Sequence, residues 1–160
     1  MSIVSNISPL APKNFPIMHS ISGVRFATAN AGIKSGDSED ATLILLEPET
    51  VIAGLFTSSM TRSAPVIDCQ NKIGINVENT GAAIIVNSGN ANAFTGRHGE
   101  LAVREIIAEL SIRVQIPVER IFSSSTGVIG ELLEYQKIIN VFDYLVDSLH
   151  VSKIAVSYTH

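Results

Sequence analysis

Ala82-Ala83-Ile84-Ile85-Val86-Asn87-Ser88-Gly89-Asn90-Ala91-Asn92-Ala93-Phe94-Thr95-Gly96 is the stretch that decides the fold. Its first five residues form a continuous apolar run, the pattern of a strand buried on both faces. A polar loop over residues 87–99 follows. Residues 100–115 then carry Val103, Ile106, Ile107, Leu110 and Val114 at the i, i+3, i+4, i+7 spacing of an amphipathic helix, which Pro117 closes. A buried strand, a loop and a helix in that order predict a mixed α/β (α+β) class, with helices covering a largely buried sheet.

Reading toward the amino end, residues 66–69 suggest a short strand, and residues 42–46 and 51–57 a hairpin across Glu47-Pro48-Glu49-Thr50. Another short strand is expected at 24–27. Pro9, Pro12 and Pro16 make residues 1–22 an extended arm, since each fixes its own φ and disfavours a helical residue before it. Toward the carboxyl end a strand is expected at 121–123. A helix over 134–149 would place Ile138, Phe142, Leu145 and Leu149 on one face. Residues 23–149 thus form one domain, and residues 150–160 a tail.

The composition agrees. Of 160 residues, 46% are hydrophobic and 16% charged, against roughly 25% charged in an ordinary domain, so disorder is excluded. So few charges also suggest that part of the surface is covered by more protein. The net charge is −4, with eleven Lys and Arg spread along the chain; nucleic acid is not an expected partner. No apolar run approaches the roughly 20 residues of a membrane span, and the first residues do not resemble a secretory signal. A single cysteine, Cys69, forms neither an internal disulfide nor a zinc cluster. A soluble, cytoplasmic protein is the expectation, with no metal and no resident cofactor.

Two segments have the residues for chemistry. In the loop after the central strand, Asn87, Asn90 and Asn92 can either bond their own backbone or bind a polar ligand through both ends of the amide. The absence of a Gly-Lys-Ser/Thr ending argues against a phosphate loop. In Ser123-Ser124-Ser125-Thr126-Gly127-Val128-Ile129-Gly130-Glu131, a strand runs into hydroxyl residues and glycine. That arrangement is either an ordinary turn or a set of N–H and hydroxyl donors for an oxyanion. Other residues suggest less: His19, His98, His150 and His160 lack metal-ligand spacing, Cys69 reads as a buried small hydrophobe, Glu131 as a helix-start carboxylate, and Asp37, Glu39 and Asp40 as a solvated acidic turn. No Ser/His/Asp set assembles.

The ordered motifs Ser8-Pro9-Leu10-Ala11-Pro12-Lys13, Gly23-Val24-Arg25, Ala31-Gly32-Ile33-Lys34, Ala53-Gly54-Leu55-Phe56-Thr57 and Ala64-Pro65-Val66 carry a resemblance, strongest at Val86 to Gly96 and at Ser125-Thr126-Gly127-Val128-Ile129-Gly130-Glu131. Over roughly residues 8–140 the chain resembles the amino-terminal, α-chain part of the bifunctional ornithine acetyltransferases, or glutamate N-acetyltransferases, of arginine biosynthesis.

The resemblance implies a layered sandwich of sheets covered by helices, the ornithine acetyltransferase and DmpA-like fold, incomplete without a β chain. It implies self-cleavage before a threonine that then takes acetyl from N-acetylornithine and passes it to glutamate, with acetyl-CoA a further donor in some members. The oxyanion hole maps onto the Thr126 hydroxyl and the Gly127 N–H, and the cleaved halves assemble as α2β2. The Lys-Gly-Ser segment and nucleophilic threonine of the family are not found in these 160 residues, so the chain by itself is expected to be inactive. No substrate-binding residue carries over. The alternatives are a non-catalytic binding module that keeps the fold, and a related N-terminal-nucleophile aminopeptidase, against which the Asn-rich and Ser-Thr-Gly signatures argue.

Overall fold

The computed structural model describes residues 19–75 and 77–151. Most of the amino-terminal arm and most of the 150–160 tail therefore lie outside the described residues. Four strands, β1 (Val24–Ala29), β2 (Ala41–Leu46), β3 (Ala82–Asn87) and β4 (Ile121–Ser125), form one sheet in the order β1-β2-β3-β4. The first two pairings are antiparallel, and β3 and β4 are parallel. Four helices accompany them: α1 (Ala64–Lys72), α2 (Gly96–Val114), α3 (Tyr135–Asn140) and α4 (Phe142–Asp147). The class is the mixed α/β one expected.

Alternation along the strands assigns the core to one face. Ala27, Ala29, Ala41, Leu43, Ala83, Ile85 and Ile121 pack against Ala102, Val103, Ile106, Ile107 and Leu110 of α2 and against Ile138, Phe142 and Leu145. The small residues on the sheet let α2 approach closely, and its branched residues then fill the space between. The expectation that β3 is buried on both faces needs correction: Ile84 and Val86, on the face away from α2, are only half-buried.

Three elements depart from the sequence reading. Residues 51–57 form no strand, and Val51 and Leu55 are almost fully exposed; β2 pairs with β1 and β3 instead of closing a hairpin forward. Residues 66–69 are helical, in α1. Pro65 sits in the first turn, where its missing N–H costs nothing, and the spacing of Cys69 and Lys72 aims both at the open edge of β4. The Cys69 thiol donates to the Ser123 carbonyl (3.2 Å) and Lys72 Nζ to the Ile121 carbonyl (3.2 Å). Helix α1 thus covers the backbone acceptors of an edge strand. Cys69 is accordingly half-buried at that edge, not a fully buried hydrophobe.

The helix expected over 134–149 is broken in two. At Val141 the N–H bonds back three residues to Ile138 (3.3 Å), and Asn140 and Val141 are both weak helix formers. Ile138, Phe142 and Leu145 still share the buried face, as the periodicity indicated.

Candidate functional site around the Thr126–Gly127 turn

β3 and β4 are parallel neighbours, so the loops leaving their carboxyl ends lie side by side. Asparagine amides join them. Asn87 Nδ2 donates to the Asn90 carbonyl (2.9 Å), and its Oδ1 accepts from Ser125 Oγ (2.6 Å). Asn90 Nδ2 donates to the Glu131 carbonyl (3.1 Å), and its Oδ1 accepts from the Asn92 N–H (2.7 Å). Asn92 Nδ2 donates to the Gly99 carbonyl (3.1 Å), while Thr95 Oγ1 donates to its Oδ1 (2.7 Å). All three side chains are buried, and each uses a donor and an acceptor. They knit loops together, the first of the two roles open to them from sequence.

Gly99 shows how tight this knot is. A Cβ there would overlap Thr95 Oγ1 and crowd Asn92 Oδ1, so the start of α2 rests directly on the Asn92 amide.

The second loop runs along the first almost as a strand. The N–H groups of Thr126, Val128 and Gly130 donate to the carbonyls of Asn87 (3.1 Å), Gly89 (3.1 Å) and Ala93 (2.9 Å). The alternate N–H groups, those of Gly127 and Ile129, have no partner among the described residues, and neither does the Thr126 hydroxyl. Gly127 is exposed and Thr126 half-buried. Gly127 has φ +130°, and a Cβ on it would overlap the Gly89 backbone. Only glycine allows the two loops to meet there. Phe94, Val128, Ile129 and Leu132 are exposed apolar residues on the same two loops. Among the described residues, the Gly127 N–H and the Thr126 hydroxyl are therefore donors left available to a ligand on a laced backbone.

Asp40 supports this construction from below and corrects the solvated-turn expectation. Its side chain is fully buried. The carboxylate accepts from the N–H groups of Ala31 (2.7 Å), Ile33 (2.6 Å) and Lys34 (2.8 Å), and the Asp40 carbonyl accepts from the Ser88 N–H (2.9 Å). Asp37 and Glu39 are exposed, as expected. The sequence signal for Asp40 was its position directly before β2, closing a loop rich in turn residues. Glu131 is exposed and belongs to no helix; only its carbonyl joins the lacing. His98 Nε2 lies 3.2 Å from the Leu133 carbonyl, and His19 and His150 are remote from it in sequence and unclustered. Among the described residues no three His, Cys, Asp or Glu side chains gather to hold a metal, and no helix is long and apolar enough to cross a membrane.

A sequence model of the ArgJ family matches residues 25–159. The chain belongs to the ArgJ family. It is 48% identical over 139 residues to the arginine biosynthesis bifunctional protein ArgJ of Ruegeria pomeroyi, covering 87% of this chain and 34% of that protein. It is 44% identical to the protein of the same name from Bartonella henselae, covering 84% and 32%. The chain therefore spans about a third of the length of these ArgJ relatives. Among solved structures it superposes on the ornithine acetyltransferase of Mycobacterium tuberculosis complexed with ornithine, with a TM-score of 0.74 and 28% identity over 81% of this chain and 68% of that one. It also superposes on the arginine biosynthesis bifunctional protein of Bacillus halodurans, with a TM-score of 0.69 and 30% identity over 76% and 62%. The fold and the family expected from the motifs are thus those found.

Proposed function

We propose that this chain is the amino-terminal part of an ornithine acetyltransferase, and that it supplies the oxyanion hole for acetyl transfer from N-acetyl-L-ornithine to L-glutamate. The single observation that carries the reading is the Thr126–Gly127 turn, whose hydroxyl and N–H have no partner among the described residues while the N–H groups on either side of Gly127 are committed. In this reading a threonine nucleophile from the rest of the enzyme attacks the acetyl carbonyl. Negative charge develops on the carbonyl oxygen, and Thr126 Oγ1 and Gly127 N–H donate to it. Collapse expels ornithine, and glutamate then takes the acetyl group from the acyl-enzyme through a second, similarly stabilised intermediate.

Length supports a partner chain. The segment covers about a third of its sequence relatives but 62–68% of the crystallised chains, so the crystallised chains are much shorter, as self-cleavage would make them. In this account the β chain completes the site in an α2β2 assembly in the cytoplasm, with no resident cofactor.

The test is an acetyl-transfer assay on the purified chain, and on a fusion in which it replaces the matching third of the Ruegeria pomeroyi relative. The expected result is no transfer by the chain alone and transfer by the fusion. Transfer by the chain alone, with no nucleophilic threonine supplied, would overturn the reading.

A further inference from the structure

At the amino ends of β3 and β4, opposite the Thr126–Gly127 turn, the sheet opens onto a cleft of about 510 Å3. Its walls include Thr50 and Ile52 after β2, Lys72 and Ile73 at the end of α1, and Arg120 and Phe122 around the start of β4. Arg120 closes the short 3₁₀ turn Val118–Arg120 and is only 7% exposed. Its Nε donates to the Gly81 carbonyl (3.3 Å) and its Nη2 to the Thr50 carbonyl (2.7 Å). No carboxylate pairs with it among the described residues.

The remaining nitrogen, Nη1, has no partner among those residues, and Arg120 is one of the residues that line the cleft. A buried guanidinium bonded to carbonyls, with no carboxylate beside it among the described residues, is a setting that favours an incoming anion. The neighbouring Lys72 offers no such charge, because Asp68 lies 2.7 Å from it and the Ile121 carbonyl takes another of its hydrogens. The rim has the opposite sign: Glu49 and Glu78 both line the opening and are exposed.

We propose that this cleft binds a small amino acid, with its carboxylate on Arg120 Nη1, its ammonium group toward Glu49 and Glu78, and its aliphatic body against Ile52, Ile73 and Phe122. A positive floor under a negative rim selects a zwitterion over a simple anion, and a doubly charged phosphate meets two carboxylates on entry. The site lies at the other end of the strands from the acetyl-transfer turn and does not depend on that reading.

Calorimetric titration of the 160-residue chain with L-norleucine, with hexanoate, which has the same carbon skeleton without the ammonium group, and with inorganic phosphate tests it. Norleucine is expected to bind saturably and more tightly than either anion. Arg120→Gln should weaken it about tenfold or more, the scale of one hydrogen bond to a charged group. Because Arg120 also holds Thr50 and Gly81, the deciding variant is the double Glu49→Gln and Glu78→Gln, confined to exposed side chains. It should weaken norleucine and tighten hexanoate. Absence of saturable norleucine binding, tighter binding of phosphate, or equal responses of norleucine and hexanoate to the rim variant would each overturn the proposal and leave Arg120 as a backbone clamp.

Discussion

The two ends of β3 and β4 treat their polar groups in opposite ways. At the carboxyl ends three buried asparagines and alternate backbone N–H groups are used up inside two loops, so that the uncommitted donors at the turn include the Gly127 N–H and the Thr126 hydroxyl. At the amino ends one buried arginine holds the neighbouring segments by their carbonyls, and the chain beyond leaves Val51, Leu55 and Met60 almost fully exposed. Satisfying the polar groups internally produces a rigid turn with a few free donors. Leaving the connection to two long side chains, Arg120 and Lys72, goes with an open cleft and exposed apolar residues.

The largest expected effect comes from breaking the rigid end at its closest approach. Gly127→Ala puts a methyl group into the Gly89 backbone at a φ that alanine avoids. In the fusion enzyme acetyl transfer should fall by about 100-fold or more, the scale for losing an oxyanion donor. Wild-type rates would contradict both the close approach at Gly127 and its part in acetyl transfer.

Next is the knot itself. Asn92→Ala strips the partners from the Gly99 carbonyl and Thr95 hydroxyl in a fully buried position, and should cost about 3 kcal/mol of unfolding free energy by urea titration. Asp40→Asn, which weakens the cradle of three backbone N–H groups, should cost about 2 kcal/mol. A cost below that of an average exposed substitution at either position would mean the lacing contributes little.

A smaller effect belongs to the β4 edge. Burial, helped by the charge of Asp68, pushes the Cys69 thiol above its ordinary 9.0. As pH rises past 9.0 the unfolded thiol ionises first, so the folded chain holds the extra proton and its stability falls through the window up to the raised value. Cys69→Ser should lessen that alkaline loss in denaturant titrations at pH 8 and pH 10; an unchanged pH slope would assign the loss elsewhere. Smallest of all, Ser123 Oγ is buried without a partner, so Ser123→Ala should leave stability unchanged or raise it by up to about 1 kcal/mol.

The same contrast explains what was legible in the sequence. β3 and α2 were, because apolar runs and 3.6-residue spacing report burial directly. The 123–131 turn was legible only as a candidate, because hydroxyl residues and glycine after a strand also suit an ordinary turn; the resemblance singled out Thr126 and Gly127. The lacing was not: Asn90 meets Glu131 across 41 positions, and no local pattern records such a pairing. Residues 51–57 and 66–69 misled for a physical reason. Their Val, Ile and Phe favour strands on average, yet Pro65 starts a helix, and β2 already has neighbours on both sides. Arg120 left no trace, since its role exists only once Gly81 and Thr50 are brought to it.

The most direct test of the central claim is the steady-state rate of the fusion enzyme with Thr126→Ser and Thr126→Val. The account predicts that serine, which keeps the hydroxyl, retains most of kcat, whereas valine, of similar shape, lowers kcat by about 100-fold with little change in KM. A valine variant that turns over as fast as the parent would contradict it.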